Sequence, residues 1–251
     1  LNVRANRTPP YAGHVLSADP AIMDALPGEA SYDPTDDFGA ALAGAGQLDG
    51  NASSMGDLLV GVPDLTMSGA VNNGGVFALF LSHSIDDGSL LISTTHARFI
   101  SSPTGPRQPE RFGSSIATLP SLADDNFCIV AIGGRQHNAD DGAVYVMWFG
   151  PDFELQQTRT MLPPAELPPG SRFGSSLAAF RSTDSAHSAG LVVGAEDISG
   201  IGTSAGSLTL FHLRGNIASR GQQAGDVAPA ARVLRGTPSQ GRGCHSVERG
   251  V

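Results

Sequence analysis

A seven-residue phrase returns along this chain. Arg111-Phe112-Gly113-Ser114-Ser115-Ile116-Ala117 recurs as Arg172-Phe173-Gly174-Ser175-Ser176-Leu177-Ala178, and more loosely as Asp37-Phe38-Gly39-Ala40-Ala41-Leu42-Ala43. Each copy leads into an apolar run: Leu58 to Pro63, Ile129 to Gly134, Leu191 to Glu196. Each then reaches a second run opened by glycine: Gly75 to Phe80, Gly142 to Met147, Gly206 to Phe211. Three blocks in one order, three times over, confine the chain to a repeat architecture built from one multi-strand unit.

Within each unit the Phe-Gly pair opens a first strand, and the two apolar runs make the second and third. A fourth strand is expected around His96–Ile100, Thr158–Leu162 and Ala231–Leu234. The stretch Ala143 to Phe149 contains no polar residue. A strand buried on both faces reads this way. Four antiparallel strands per unit, each sheet covered by its neighbours, describe a β-propeller blade. The expected class is therefore all-β, with about three blades of an incomplete propeller. The expected division is 1–37 as linker plus an outer strand of a preceding blade, at His14–Ser17. Blades follow at 38–110, 111–170 and 171–235, then an irregular tail at 236–251. Residues 18–37 carry the Pro and Asp content of a loop, with Ala21–Leu26 the one short helical candidate. Leu1 at the start and the lack of a signal-peptide pattern read as a segment of a longer protein.

Composition limits the partners. The formal net charge is -9, which argues against nucleic acid and against an anionic membrane surface. No apolar run reaches the roughly 18 residues of a membrane helix. Cys128 and Cys244 give no disulfide framework or zinc spacing and read as free thiols. The seven His residues show no metal spacing either.

The Phe-Gly pairs, Leu58 to Pro63 and Gly142-Ala143-Val144-Tyr145-Val146 together resemble the FG-GAP repeat, the blade unit of integrin alpha-chain propellers. The resemblance covers roughly residues 12–235. The second copy departs from it, with Ile132 set against Gly61 and Gly194, and Gly134 against Pro63. The resemblance implies a calcium loop between the first two strands. Calcium needs several oxygens converging in one short loop. Only the first unit retains such a pattern, in Asp49, Asn51 and Asp57, with Gln47 in place of the first acidic ligand. That makes one weak calcium candidate. The same residues also serve as ordinary turn residues. Asn51 begins a glycosylation sequon, as does Asn6, and a glycan on Asn51 would exclude it as a ligand.

Other chemistry-bearing residues read as structural. Ser114 and Ser175 recur at one place in the repeat and lack a nucleophile elbow. Asp33, Asp36, Asp37, Asp86 and Asp87 read as solvated loop carboxylates. Trp148 reads as core between units. Arg111 and Arg172 read as partners of nearby carboxylates. The function implied by the resemblance is non-catalytic binding or adhesion at a cell surface or outside the cell. A protein or glycan ligand would meet the blade loops, and a cleft with converging polar groups near Asp64–Gly74 and Arg135–Asp141 would favour binding over a spacer. The remaining blades or a partner chain are expected to complete the ring. The alternatives are an accessory propeller of a larger secreted enzyme, phospholipase D-like or polysaccharide-degrading, and a structural spacer.

Overall fold

The structure is a computed structural model. It describes residues 20–28, 30, 31, 33, 35–48, 56–67, 69, 72–86, 89–105, 109–119, 128–181, 188–196, 206–214 and 232–235. The strand expected at His14–Ser17 and the tail at 236–251 lie outside these.

The helical candidate forms helix α1 (Pro20–Ala25), with proline at its first position, where a missing N–H costs nothing. A short strand β1 (Ala30–Ser31) follows it. The first sheet contains β2 (Ala41–Gly46) and β3 (Asp57–Val62). A two-residue β4 (Thr66–Met67) leaves the sheet to pair with β1. β5 (Gly75–Asp86) and β6 (Ser89–Ile100) then complete the first sheet in the order β2-β3-β5-β6. The second sheet is β7 (Phe112–Leu119), β8 (Cys128–Gly134), β9 (Ala143–Phe149) and β10 (Leu155–Met161). The third is β11 (Phe173–Arg181), β12 (Ser188–Ala195), β13 (Ser207–Arg214) and β14 (Arg232–Arg235). Each sheet is an antiparallel meander of four strands, so the chain is all-β as expected.

The sheets stack face to face. Ile116, Val130, Tyr145 and Met147 of the second pack on Leu59, Val76, Ala78 and Phe80 of the first. The opposite face of the second, with Val144, Val146 and Trp148, packs on Leu191, Val193 and Phe211 of the third. Both faces of β9 are thus buried, which accounts for its unbroken apolar run. Trp148 lies in this inter-sheet core. On the first sheet's outer face, Phe77 and Leu79 are covered by Ile22 of α1 together with Leu65 and Met67.

The Phe-Gly pair clasps one sheet to the next. The residue before each Phe is left-handed (Asp37 φ 58, Arg111 φ 51, Arg172 φ 51), and each Gly sits near φ +90. The first strands of the second and third sheets carry a register shift just after the pair, a bulge that re-aims the backbone. The swung carbonyl of Gly113 meets Gly61 of the preceding sheet, where a Cβ would lie 2.1 Å from its oxygen. Gly174 does the same to Gly133, also at 2.1 Å. The buried rings of Phe112 and Phe173 rest on Tyr145 and Phe211 of their own sheets.

Three expectations are corrected. Gly133, not Ile132, is the counterpart of Gly61 and Gly194. The pairs Ala41↔Gly61, Ser115↔Gly133 and Ser176↔Gly194 all stand three residues after their Phe. The second unit therefore keeps the glycine, because the next carbonyl needs that space, and Arg135 occupies the place of Pro63. Secondly, β2 begins at Ala41, not at Phe38: the turn in which the Ala40 N–H donates to the Asp37 carbonyl (3.0 Å) recurs in all three units, but only here does Pro63, which has no N–H to pair, stand at the place of Arg135 and Glu196. Thirdly, Asp36 is buried, not solvated. Its Oδ2 accepts the Asp33 N–H at 2.6 Å, and burial, ahead of its aspartate neighbours, holds its carboxyl above the ordinary range.

Candidate functional site

Asp57 opens β3 as a buried carboxylate, 2 % exposed. Its Oδ2 accepts the Leu48 N–H at 2.7 Å and its Oδ1 the Leu81 N–H at 3.1 Å. Asp57 thereby ties the β2–β3 loop to the β5–β6 hairpin. Asp49 and Asn51 lie outside the described residues. With the corrected register, Ile129 and Gly190 stand where Asp57 does. Among the described residues no group of three or more His, Cys, Asp or Glu could hold a metal ion. Asp57→Ala is expected to destabilise the chain by roughly 2–3 kcal/mol, since two buried N–H groups lose a charged acceptor. The loss should be equal with and without chelator. A denaturant series in which chelator erases the difference would instead make Asp57 a calcium ligand.

The opposite end of the sheets gathers more chemistry. It is formed by the β3–β5 connection, the β8–β9 turn and the loops that enter β7 and β11. One rule positions them. The Arg111 and Phe112 N–H groups donate to the Asn72 and Asn73 carbonyls, and those of Arg172 and Phe173 to the Asp140 and Asp141 carbonyls. Each sheet's entry loop is thus sewn to the preceding sheet's third strand. The residue two before each Phe is buried and polar: Asp36, Glu110 and Ser171. The backbone carbonyls of Asp36 and Glu110 accept from Asp64 and Gln136.

Glu110 carries the densest of these networks. Its Oε1 accepts from the Tyr145 hydroxyl at 2.9 Å and lies 2.7 Å from His137 Nδ1. Its Oε2 accepts from the Ser102 hydroxyl, which also meets Thr104 Oγ1 at 3.0 Å. Burial first, and the Glu110 charge second, push the Tyr145 phenol far above its usual range, so it stays a neutral donor. The adjoining turn, His137–Asp140, is unusual. Asn138, Ala139 and Asp140 are all left-handed (φ 49, 56 and 72), a conformation that costs non-glycine residues about 1–2 kcal/mol each. This network was missed from sequence, although a polar residue two before every Phe was there to be seen.

Charged groups continue across this end. Arg111 Nε lies 2.9 Å from Asp64 Oδ1. Burial raises the Asp64 carboxyl above its usual range, Arg111 opposes that, and neighbouring Asp37 adds to it. Arg172 meets Glu196 at 3.4 Å and Asp140 at 3.9 Å, and Arg135 meets Glu196 at 3.9 Å. The expected Arg–carboxylate pairs are therefore present. These part-exposed pairs contribute little stability, about 0–1 kcal/mol each, so their side chains can exchange partners with a ligand.

Ser114 and Ser175 donate to the Gly133 and Gly194 carbonyls of their own sheets (3.1 and 3.3 Å), a repeated structural bond. Cys128 is a free thiol whose pKa burial, with a smaller push from Asp57, raises to about 12. It is not a reactive nucleophile at neutral pH. No helix among the described residues is long and apolar enough to cross a membrane. No protein-family model matches the chain, and no curated protein matches it.

Proposed function

We propose that the three sheets are consecutive blades of an FG-GAP-type β-propeller that works as a non-catalytic binding or adhesion module at the cell surface or outside the cell. Its ligand, a protein or glycan, seats on the end carrying Asp64, Arg111, Arg135, Arg172 and Glu196. Support for blades comes from the packing: β7 contacts both β2 and β11, and no comparable contact joins β6, β10 and β14 among the described residues. First strands close together and fourth strands apart make wedges, as propeller blades are. The observation that carries the binding reading is the row of part-exposed ion pairs drawn from three repeats onto one end. Guanidinium and carboxylate groups offer the paired hydrogen bonds that glycan hydroxyls and charged peptide groups require. Calcium binding, should the chelator comparison on Asp57→Ala reveal it, is confined to one weak site through Asp49, Asn51 and Asp57.

The chain should be screened against arrays of glycans and of extracellular protein domains. Arg135→Ala and Glu196→Ala are expected to weaken any hit at least tenfold while leaving thermal unfolding in place. Gln156→Ala, at the start of β10 at the far end, should bind normally. A hit abolished by the far-end change and indifferent to Arg135 and Glu196 would place the ligand elsewhere and end this reading.

A further inference from the structure

The third sheet keeps, in sequence and register, the glycines with which the first two receive a neighbour. Gly61 and Gly133 lack a side chain because the next sheet's Phe-Gly carbonyl occupies that space, and Gly194 is their third copy. Gly74 and Gly142 bridge to Phe112 and Phe173, whose backbone oxygens would sit 2.1 Å from a Cβ on either glycine. Gly206 is their third copy in sequence and register, without their positive φ. Among the described residues, the atoms nearest a Cβ at Gly194 and Gly206 belong to their own sheet: the Ser176 hydroxyl and the Ala195 carbonyl. Ser115 donates to the Gly174 carbonyl of the following sheet at 2.6 Å. Ser176, its counterpart, is exposed.

The apolar side chains tell the same story. Leu208 and Leu210 are 47 % and 36 % exposed and Phe180 is 43 % exposed, all on the outer face of the third sheet. Their counterparts in the second sheet, Val144, Val146 and Leu119, are 0 %, 2 % and 6 % exposed, because the third sheet covers them. The far side of the stack is closed by the chain's own α1, with Ile22 buried against the first sheet. Among the described residues, the stack is therefore capped at one end and open at the other.

We infer that the outer face of β11-β12-β13 is the seat of a fourth Phe-Gly sheet, continuing the same polypeptide in the full-length protein. That sheet enters with a left-handed residue, a Phe and a Gly near φ +90. Its glycine carbonyl rests on Gly194 and accepts the Ser176 hydroxyl, and its Phe backbone lies along Gly206. The inference rests on how the sheets pack and is independent of what the loop end binds.

Two chains test it: the 251-residue chain, and the same chain followed directly by a second copy of its residues 111–170. The short chain should bind a hydrophobic dye such as anilinonaphthalene sulfonate. In the extended chain that signal should fall severalfold and the melting temperature should rise by at least 5 °C or so. Gly194→Ala and Gly206→Ala should reverse both gains in the extended chain. In the short chain they should shift the melting temperature by no more than about 2 °C. That second comparison stands even if the added unit fails to fold. Substantial unfolding of the short chain by either substitution would show that these glycines serve their own sheet, and the inference would fall. It would also fall if the short chain forms a dimer that Gly194→Ala dissolves, since the occupant would then be a second copy.

Discussion

Gly61→Ala is expected to cost roughly 4 kcal/mol or more, the range reserved for severe backbone or packing conflict. A Cβ there would lie 2.1 Å from the Gly113 carbonyl oxygen, and the clash is with backbone that no rotamer change can relieve. Relief requires the first and second sheets to separate, exposing Leu59, Val76, Phe112 and Tyr145. Against a typical domain margin of about 5–15 kcal/mol, that is a large share. Gly39→Ala supplies the control. Gly39 has φ +92, like Gly113, yet nothing lies within 4 Å of its Cβ position. It should lose only the backbone strain, about 1–3 kcal/mol. Urea titrations of both variants measure the difference. Equal losses would mean that the Phe-Gly glycines matter through their own conformation, and the clasp between sheets would have to be abandoned.

Glu110→Ala is the second substitution with a large expected effect, roughly 3 kcal/mol or more. It strips the acceptor from the Tyr145 and Ser102 hydroxyls in a buried site, and unmade buried bonds cost more than made ones contribute. His137, 2.7 Å away, loses its partner as well. Tyr145→Phe removes a single donor and should cost about 1 kcal/mol. The double variant should cost less than the two single losses together, because once Glu110 is gone the Tyr145 hydroxyl keeps only His137 Nδ1, at 3.1 Å, and Tyr145→Phe loses less. Strict additivity would show that Glu110 and Tyr145 are not coupled. A loss for Glu110→Ala no greater than for Tyr145→Phe would show that the network is not a stabilising centre.

The repeat order set out in the sequence was enough to give an all-β chain of three four-stranded units, each beginning at or just after its Phe-Gly pair. That information is local: apolar runs, turn residues and their recurrence fix strands and their order. The buried strand Ala143–Phe149, the core placement of Trp148 and the pairing of Arg111 and Arg172 with carboxylates were likewise legible from residue type and neighbourhood. The register of the second unit was not. The apolar runs alone set Ile132 against Gly61, because hydrophobicity does not record where another sheet's carbonyl must pass. Asp57 stands out in the sequence as a calcium candidate, but its two backbone partners, Leu48 and Leu81, come from opposite sides of its strand in sequence, so only the folded chain brings them to its oxygens. Asp36 was read as solvated because burial belongs to the neighbours that fold over a residue. Glu110, Ser102, His137 and Tyr145 are spread over more than forty residues of sequence and no short motif joins them. Their meeting is decided by the stacking of one sheet on the next, which draws loops from separate repeats onto one end.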